Sequence, residues 1–81
     1  MTNKELNSLQ IENPARFSKM ISYLSADDND SYVKIIEAIT TYNNLTSTAK
    51  GNYGKLELDI SKDLLDAIID YVRGGNSCMM L

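Results

Sequence analysis

Three aspartates late in the chain have the spacing of one helix face. Asp63, Asp66 and Asp70 recur at i, i+3 and i+7, so a general acid–base pair would be conceivable on a helix there. However, Lys62 to Asp66 and Asp70 to Arg73 have the spacing of ion pairs along a helix surface. Nothing nearby in the sequence supplies the apolar pocket or charge that would tune a carboxylate for proton transfer. We therefore interpret these aspartates as an ordinary exposed face.

Other patterns that would support catalysis or metal binding are incomplete. Asp27 would open a calcium loop of the EF-hand type, but its sixth position is Tyr32 instead of glycine and its twelfth is Ala38 instead of glutamate. The chain contains no histidine and a single cysteine, which excludes a zinc site or a catalytic histidine within one chain. The GNYG segment at 51–54 lacks the spacing and the lysine of a phosphate-binding loop. We expect no enzyme, no metal and no cofactor.

The last four residues, CMML at 78–81, satisfy the C-a-a-X prenylation pattern. Stable membrane anchoring by lipid usually needs a second signal, and no basic residue follows Arg73. We instead predict a flexible C-terminal tail at 76–81. Since methionine adapts to irregular apolar surfaces, this tail could also pack into a groove of this domain or of a partner.

Tyrosine is the main aromatic residue, with five Tyr against one Phe and no Trp. A phenolic hydroxyl needs water or a partner, so tyrosines favour the boundary between core and surface and are common in binding hot spots. Tyrosines that merely cover the edge of a small core would lie in the same places. The candidate partner-binding residues are Tyr23, Tyr32, Tyr42, Tyr53, Tyr71, Met79, Met80 and Leu81.

The charge balance disfavours polyanionic partners. Eight Lys and Arg against 11 Asp and Glu give a net charge of -3, so attraction to nucleic-acid phosphates or anionic lipid is weak. Charged residues interrupt every apolar run well short of the roughly 18–20 residues that cross a bilayer. Lys4 and Glu5 lie where a signal peptide would be apolar. We expect a cytoplasmic protein for which nucleic acid and membrane are unlikely partners.

Two helices are predicted in the first third of the chain. TNKE at 2–5 has the spacing of a capping box, which predicts a short helix over about 3–10. Asn13-Pro14 is a strong helix start and predicts a second helix to about Leu24. Its buried stripe at i, i+3, i+4 and i+7 consists of Phe17, Met20, Ile21 and Leu24.

A third helix is predicted over about 31–43, with Asp28 or Asp30 as its cap. Its apolar residues spread over an arc too wide for one neighbour, so we expect it to be central. Led by Phe17, Ile36 and Ile68, the helical stripes should close over one core. Segment 43–54 is rich in Asn, Thr, Ser and Gly, which predicts a mobile connection.

Segment 55–60, KLELDI, alternates polar and apolar residues as a half-buried strand does. Its partner would be the segment 9–11 or the same strand of a second subunit. Alternatively, 55–60 could extend the last helix, in which Leu64, Leu65, Ile68, Ile69 and Val72 form an amphipathic face. Ser61 is a good cap for that helix, and Gly74 would end it.

Segment 55–73, KLELDISKDLLDAIIDYVR, resembles the strand and following helix of ribbon-helix-helix DNA-binding proteins. The resemblance covers about a quarter of the chain and implies that the strand face enters the DNA major groove. Glu57 and Asp59 beside a single Lys55 would repel phosphate on that face. The given chain also ends before the second helix of that fold. DNA binding is therefore an alternative and not the main interpretation.

Together these patterns predict a mainly α fold, a small bundle of three to four short helices with or without one short strand at 55–60. Residues 1–75 would form one domain. We expect a small acidic non-catalytic interaction module, such as an inhibitor, adaptor or regulatory subunit of bacterial or phage type. It would bind another protein or form a homodimer. The alternatives are a DNA-binding transcriptional regulator and a small-ligand or nucleotide binder with a site between subunits.

Overall fold

The computed structural model describes residues 1–74. Within them five α-helices follow one another and no β-sheet forms, which confirms the predicted mainly α bundle. The helices are α1 (Asn3–Glu12), α2 (Pro14–Asp27), α3 (Asn29–Asn44), α4 (Ser47–Gly54) and α5 (Lys62–Val72). The predicted tail at 76–81, with its prenylation pattern, lies outside the described residues.

Local capping sets where the predicted helices begin. At α1 the Thr2 hydroxyl accepts a hydrogen bond from the Glu5 backbone N–H at 3.2 Å, and the Glu5 carboxylate accepts one from the Thr2 N–H at 2.8 Å. This is the predicted capping box. The side chains of Asn13, Asp28 and Ser61 likewise cap α2, α3 and α5. Of the two aspartates considered for α3, the cap is therefore Asp28.

Helix α4 corrects the prediction of a mobile connection at 43–54. Thr46 caps α4, and the helix packs against both α1 and α3. Its last residue, Gly54, is buried so closely that a Cβ atom there would lie 3.0 Å from Tyr42 Cε1 and 3.1 Å from Lys4 Cβ. Contacts with two neighbouring helices thus stabilise a segment of weak intrinsic helix propensity.

Residues 55–60 form neither a strand of a sheet nor an extension of α5, so both expectations for this segment are corrected. One isolated antiparallel bridge joins Glu57 to Thr2, and backbone hydrogen bonds of 2.8 and 3.0 Å flank it. The segment 9–11, predicted as a strand partner, belongs to α1. Within residues 1–74 the strand required by the ribbon-helix-helix resemblance is therefore not formed.

The core is built by four of the helices and the segment between α4 and α5. Helix α2 packs against α1, α3 and α5, while α1 and α3 contact each other and α4. Helices α1, α2 and α3 each pack against three others, so they share the central position that was expected for α3 alone. The buried apolar residues are Leu6, Leu9, Phe17, Met20, Leu24, Ile35, Ala38, Leu58, Leu65, Ile68, Tyr71 and Val72.

Polar side chains of α2 and its cap hold the end of α5. Arg16 Nε donates to the Tyr71 carbonyl at 2.6 Å, and the Arg16 guanidinium lies 4.1 Å from the centre of the Tyr71 ring. Asn13 Nδ2 donates to the Val72 carbonyl at 3.3 Å. The Tyr71 carbonyl also accepts the Gly74 N–H at 3.0 Å, and the Val72 carbonyl is one of those that a helix end leaves without an intrahelical partner. Gly74, at φ 90°, then ends the turn in the left-handed region that suits glycine.

Candidate functional site

A groove between α2 and α3 has no charged side chain in its lining. Its volume is about 180 Å³. Charged residues make up 23% of the chain, so a lining without any charged residue differs from the average composition of the protein. We call it the α2–α3 groove, and its lining residues are Gln10, Pro14, Phe17, Ser18, Ile21, Ile36, Ile39 and Thr40.

Two other grooves on the surface of residues 1–74 are polar at their rims. The groove between α1 and the end of α5, of about 430 Å³, includes two basic and two acidic side chains: Lys4, Glu5, Glu12 and Arg73. The groove between α3 and the segment 56–59, of about 240 Å³, includes one basic and three acidic side chains: Lys34, Glu37, Glu57 and Asp59. Ion pairs Arg73–Glu12 at 3.2 Å and Lys34–Asp59 at 3.4 Å occupy these rims.

The apolar face of α3 is only partly covered, which corrects the expectation for Ile36. Ile35 and Ala38 enter the core. Ile36 remains 36% exposed at the α2–α3 groove, and Val33, one turn earlier, is 48% exposed. The apolar arc of α3 is wider than the surface that α1, α2 and α4 cover. From the sequence, the width of that arc predicted a central helix, and the uncovered part of the face was not predicted.

The neighbouring outer face of α2 carries small side chains. Ala15, Ser18, Ser22 and Ser25 recur at i, i+3, i+7 and i+10, and all four are exposed. The Ser22 hydroxyl donates to the Ser18 carbonyl at 3.2 Å, and the Ser25 hydroxyl donates to the Ser22 carbonyl at 2.8 Å. Because these two donors are satisfied within α2, an apolar partner covering this face would not leave them unpaired.

The tyrosines predicted to bind a partner do not line the α2–α3 groove. Tyr23 is exposed on α2. Tyr71 is buried beneath the Arg16 guanidinium, so we leave its ring out of the candidate surface. The remaining three are half-buried: Tyr32, Tyr42 and Tyr53. The other candidates, Met79, Met80 and Leu81, lie outside the described residues.

The acidic residues that suggested chemistry are placed at the surface or in caps. Asp63, Asp66 and Asp70 are exposed on α5. Hydrogen bonds from the Thr2 backbone N–H and then the Thr2 hydroxyl lower the pKa of Glu5, which belongs to the α1 cap. Among residues 1–74 no group of three or more Asp, Glu, Cys or His side chains has the arrangement of a metal site.

None of the five helices has both the length and the apolar character needed to cross a lipid bilayer. No protein-family model, curated protein or solved structure matches the chain.

Proposed function

We propose that this chain is a small acidic non-catalytic interaction module that binds another polypeptide through the α2–α3 groove. The observation that carries the proposal is the exposure of Ile36 within a groove lining without charge, together with the exposure of Val33 one turn before it on α3, outside that lining. The centres of protein interfaces are depleted in charged residues. An inhibitor, adaptor or regulatory subunit that works by contact alone needs such a surface and no reactive group.

The energetics favour covering this surface. Apolar area removed from water contributes about 25 cal/mol per Å², and Val33 and Ile36 both retain exposed area. Tyr23 and the half-buried tyrosines would then lie at the rim or outside the contact. A single cysteine in 81 residues supports a reducing, cytoplasmic location.

Photo-cross-linking in cells of the source organism tests the proposal. A benzophenone amino acid replaces Val33 in one variant and Leu56 in the other. Val33 lies outside the groove lining but one turn before Ile36, which is part of it. Leu56 is a matched control because it is 56% exposed and lines the separate groove between α3 and segment 56–59. We expect position 33 to give a covalent adduct with a second polypeptide, and position 56 to give little or none.

Adding Ile36→Glu to the position-33 variant should abolish this adduct, because a carboxylate would then enter the contact. No adduct at position 33, or equal yields at positions 33 and 56, would contradict the proposal. The mass of the adduct also reports whether the captured polypeptide is the same chain or a different one.

A further inference from the structure

We infer that residues 46–59, which comprise α4 and the segment after it, form a flap that opens by local unfolding while α1, α2, α3 and α5 stay packed. The inference does not depend on the α2–α3 groove, because no flap residue lines that groove. Proteins open locally in regions where few apolar side chains are buried. The flap is such a region.

Burial within the flap is slight. Gly54 and Leu58 are its only buried residues, and glycine has no side chain to remove from water. Leu58, at 8% exposure, is therefore the main apolar anchor of the flap. By contrast, α2 and α5 together bury seven side chains: Phe17, Met20, Leu24, Leu65, Ile68, Tyr71 and Val72. Opening the flap thus exposes much less apolar surface than unfolding the four remaining helices.

The sequence of α4 does not favour a stable helix on its own. The helix has eight residues, and two of them are glycines, Gly51 and Gly54. Glycine is the least favourable helix residue after proline, and isolated helices shorter than about 12 residues are marginal in water. Helix α4 therefore depends on its contacts with α1 and α3, and it should unfold when those contacts are lost.

Backbone contacts with the start of the chain couple α4 to the segment after it. Asn3 Nδ2 donates a hydrogen bond to the Tyr53 carbonyl in α4 at 3.1 Å. The Leu58 N–H donates to the Met1 carbonyl at 2.8 Å. Because neighbouring residues hold the two parts of the flap, movement away from this one surface releases both parts together.

The α2 contacts lie on a different side of α3 from the flap. Phe17 lines the α2–α3 groove with Ile36, whereas Leu58 lines the groove beside segment 56–59 with Ala38. Ile36 and Ala38 are about 200° apart around the helix axis. The packing of α2 against α1, α3 and α5 can therefore persist when the flap opens.

Opening the flap uncovers a surface between α1 and α3. Asn3 and Ala38 are only 6% and 4% exposed when the flap is closed. Both line a groove together with Tyr53 and Leu58 of the flap. Removal of these two flap residues exposes Asn3 and Ala38 to solvent, so the flap controls access to this surface.

Native-state hydrogen exchange of the purified full chain, followed by NMR at each residue, tests the inference. The flap reporters are the N–H groups of Lys50 and Leu58, which donate to the Thr46 and Met1 carbonyls. After correction for intrinsic rates, both should exchange at least about 100-fold faster than the interior amides of α2 and α5. Urea should accelerate their exchange less steeply, because flap opening exposes less surface than global unfolding.

Two core substitutions distinguish the flap from the rest of the fold. Leu58→Ala should accelerate exchange at Lys50 on the order of 10-fold, because it weakens the closed flap. Phe17→Leu should accelerate the interior amides of α5 on the order of 10-fold but change Lys50 by less than about 2-fold, because the open state keeps the Phe17 contacts. Circular dichroism verifies that both variants fold, and the urea dependence of the wild type decides the question if either does not.

Three results would overturn the inference. The first is equal exchange, with equal urea dependence, at the flap reporters and in the interior of α2, which would show one cooperative unit. The second is a Phe17→Leu variant that accelerates Lys50 as much as it accelerates α5. The third is a Leu58→Ala variant that leaves exchange at Lys50 unchanged, since α4 would then open without the segment after it.

Discussion

Gly54 offers a sharp test of how α4 is held in the fold. It ends α4 and is buried between α1 and α3, with no positive φ that would require glycine. Intrinsic propensity alone predicts that Gly54→Ala should stabilise the helix by about 0.5–1 kcal/mol. Packing predicts the opposite, because the new Cβ would lie 3.0 Å from Tyr42 Cε1 and 3.1 Å from Lys4 Cβ.

Packing should win because the clash involves two different helices. The Tyr42 ring could rotate away, but Lys4 Cβ is fixed to the backbone of α1 and moves only with that helix. Overpacking a well-filled site typically costs about 1–3 kcal/mol. After subtracting the propensity gain, we expect Gly54→Ala to destabilise the fold by about 0.5–2 kcal/mol.

The matched control is Gly51→Ala in the same helix, where an added Cβ meets nothing within 4 Å. Only the propensity gain applies there, so Gly51→Ala should stabilise the fold by about 0.5–1 kcal/mol. Urea unfolding followed by circular dichroism measures both changes. If Gly54→Ala were as stable as Gly51→Ala, α4 would not be fixed by its contacts with Lys4 and Tyr42, and our account of this helix would be wrong.

Two further predictions concern the cap and the core. The lowered pKa of Glu5 means that its contribution to the cap is fully present above the ordinary pKa of 4.5 and is lost as the pH falls through the lower folded-state pKa. Between neutral and strongly acidic pH, Glu5→Gln should therefore lose less unfolding free energy than wild type. Urea unfolding at each pH measures this loss, and an equal loss in the two proteins would refute the assignment. Ile68 is 0% exposed, so Ile68→Ala should lower the free energy of unfolding by about 2–5 kcal/mol. The control Ile11→Ala, at a position that is 70% exposed, should change it by less than about 0.5 kcal/mol. Similar values for the two variants would contradict the described core.

Helix starts were predictable because their causes are local. The Thr2 hydroxyl and Glu5 carboxylate act within one turn, and the proline after Asn13 fixes the first dihedral angle of α2. The same holds for Ser61 before α5. Such interactions need no knowledge of the rest of the fold, so residue type and spacing are sufficient.

Helix α4 was not predictable because its cause lies elsewhere in the chain. Glycine at position 54 is a turn signal when the sequence is read locally. In the folded protein the missing side chain is what lets α4 approach Lys4 and Tyr42. The bridge between Thr2 and Glu57 has the same origin, since it depends on where α1 and α4 bring two distant segments.

The α2–α3 groove was not predicted. The wide apolar arc of α3 indicated more apolar surface than one neighbour could cover. Ile35 and Ile36 are about 100° apart around the helix axis, so only one of them can point directly into the core. The positions of α1 and α2 decide that it is Ile35, and no local pattern distinguishes the two residues.

The attachment of α5 to α2 has a consequence for synthesis on the ribosome. Asn13 and Arg16 bond to carbonyls of residues 71 and 72, so the α2 surface beneath α5 stays uncovered until the nascent chain has grown by 45 residues beyond the end of α2 at Asp27. At about 5–20 residues per second this delay lasts roughly 2–9 s. During that time the uncovered α2 surface is accessible to chaperones and proteases. In a product released before Val72 is added, this surface would stay uncovered.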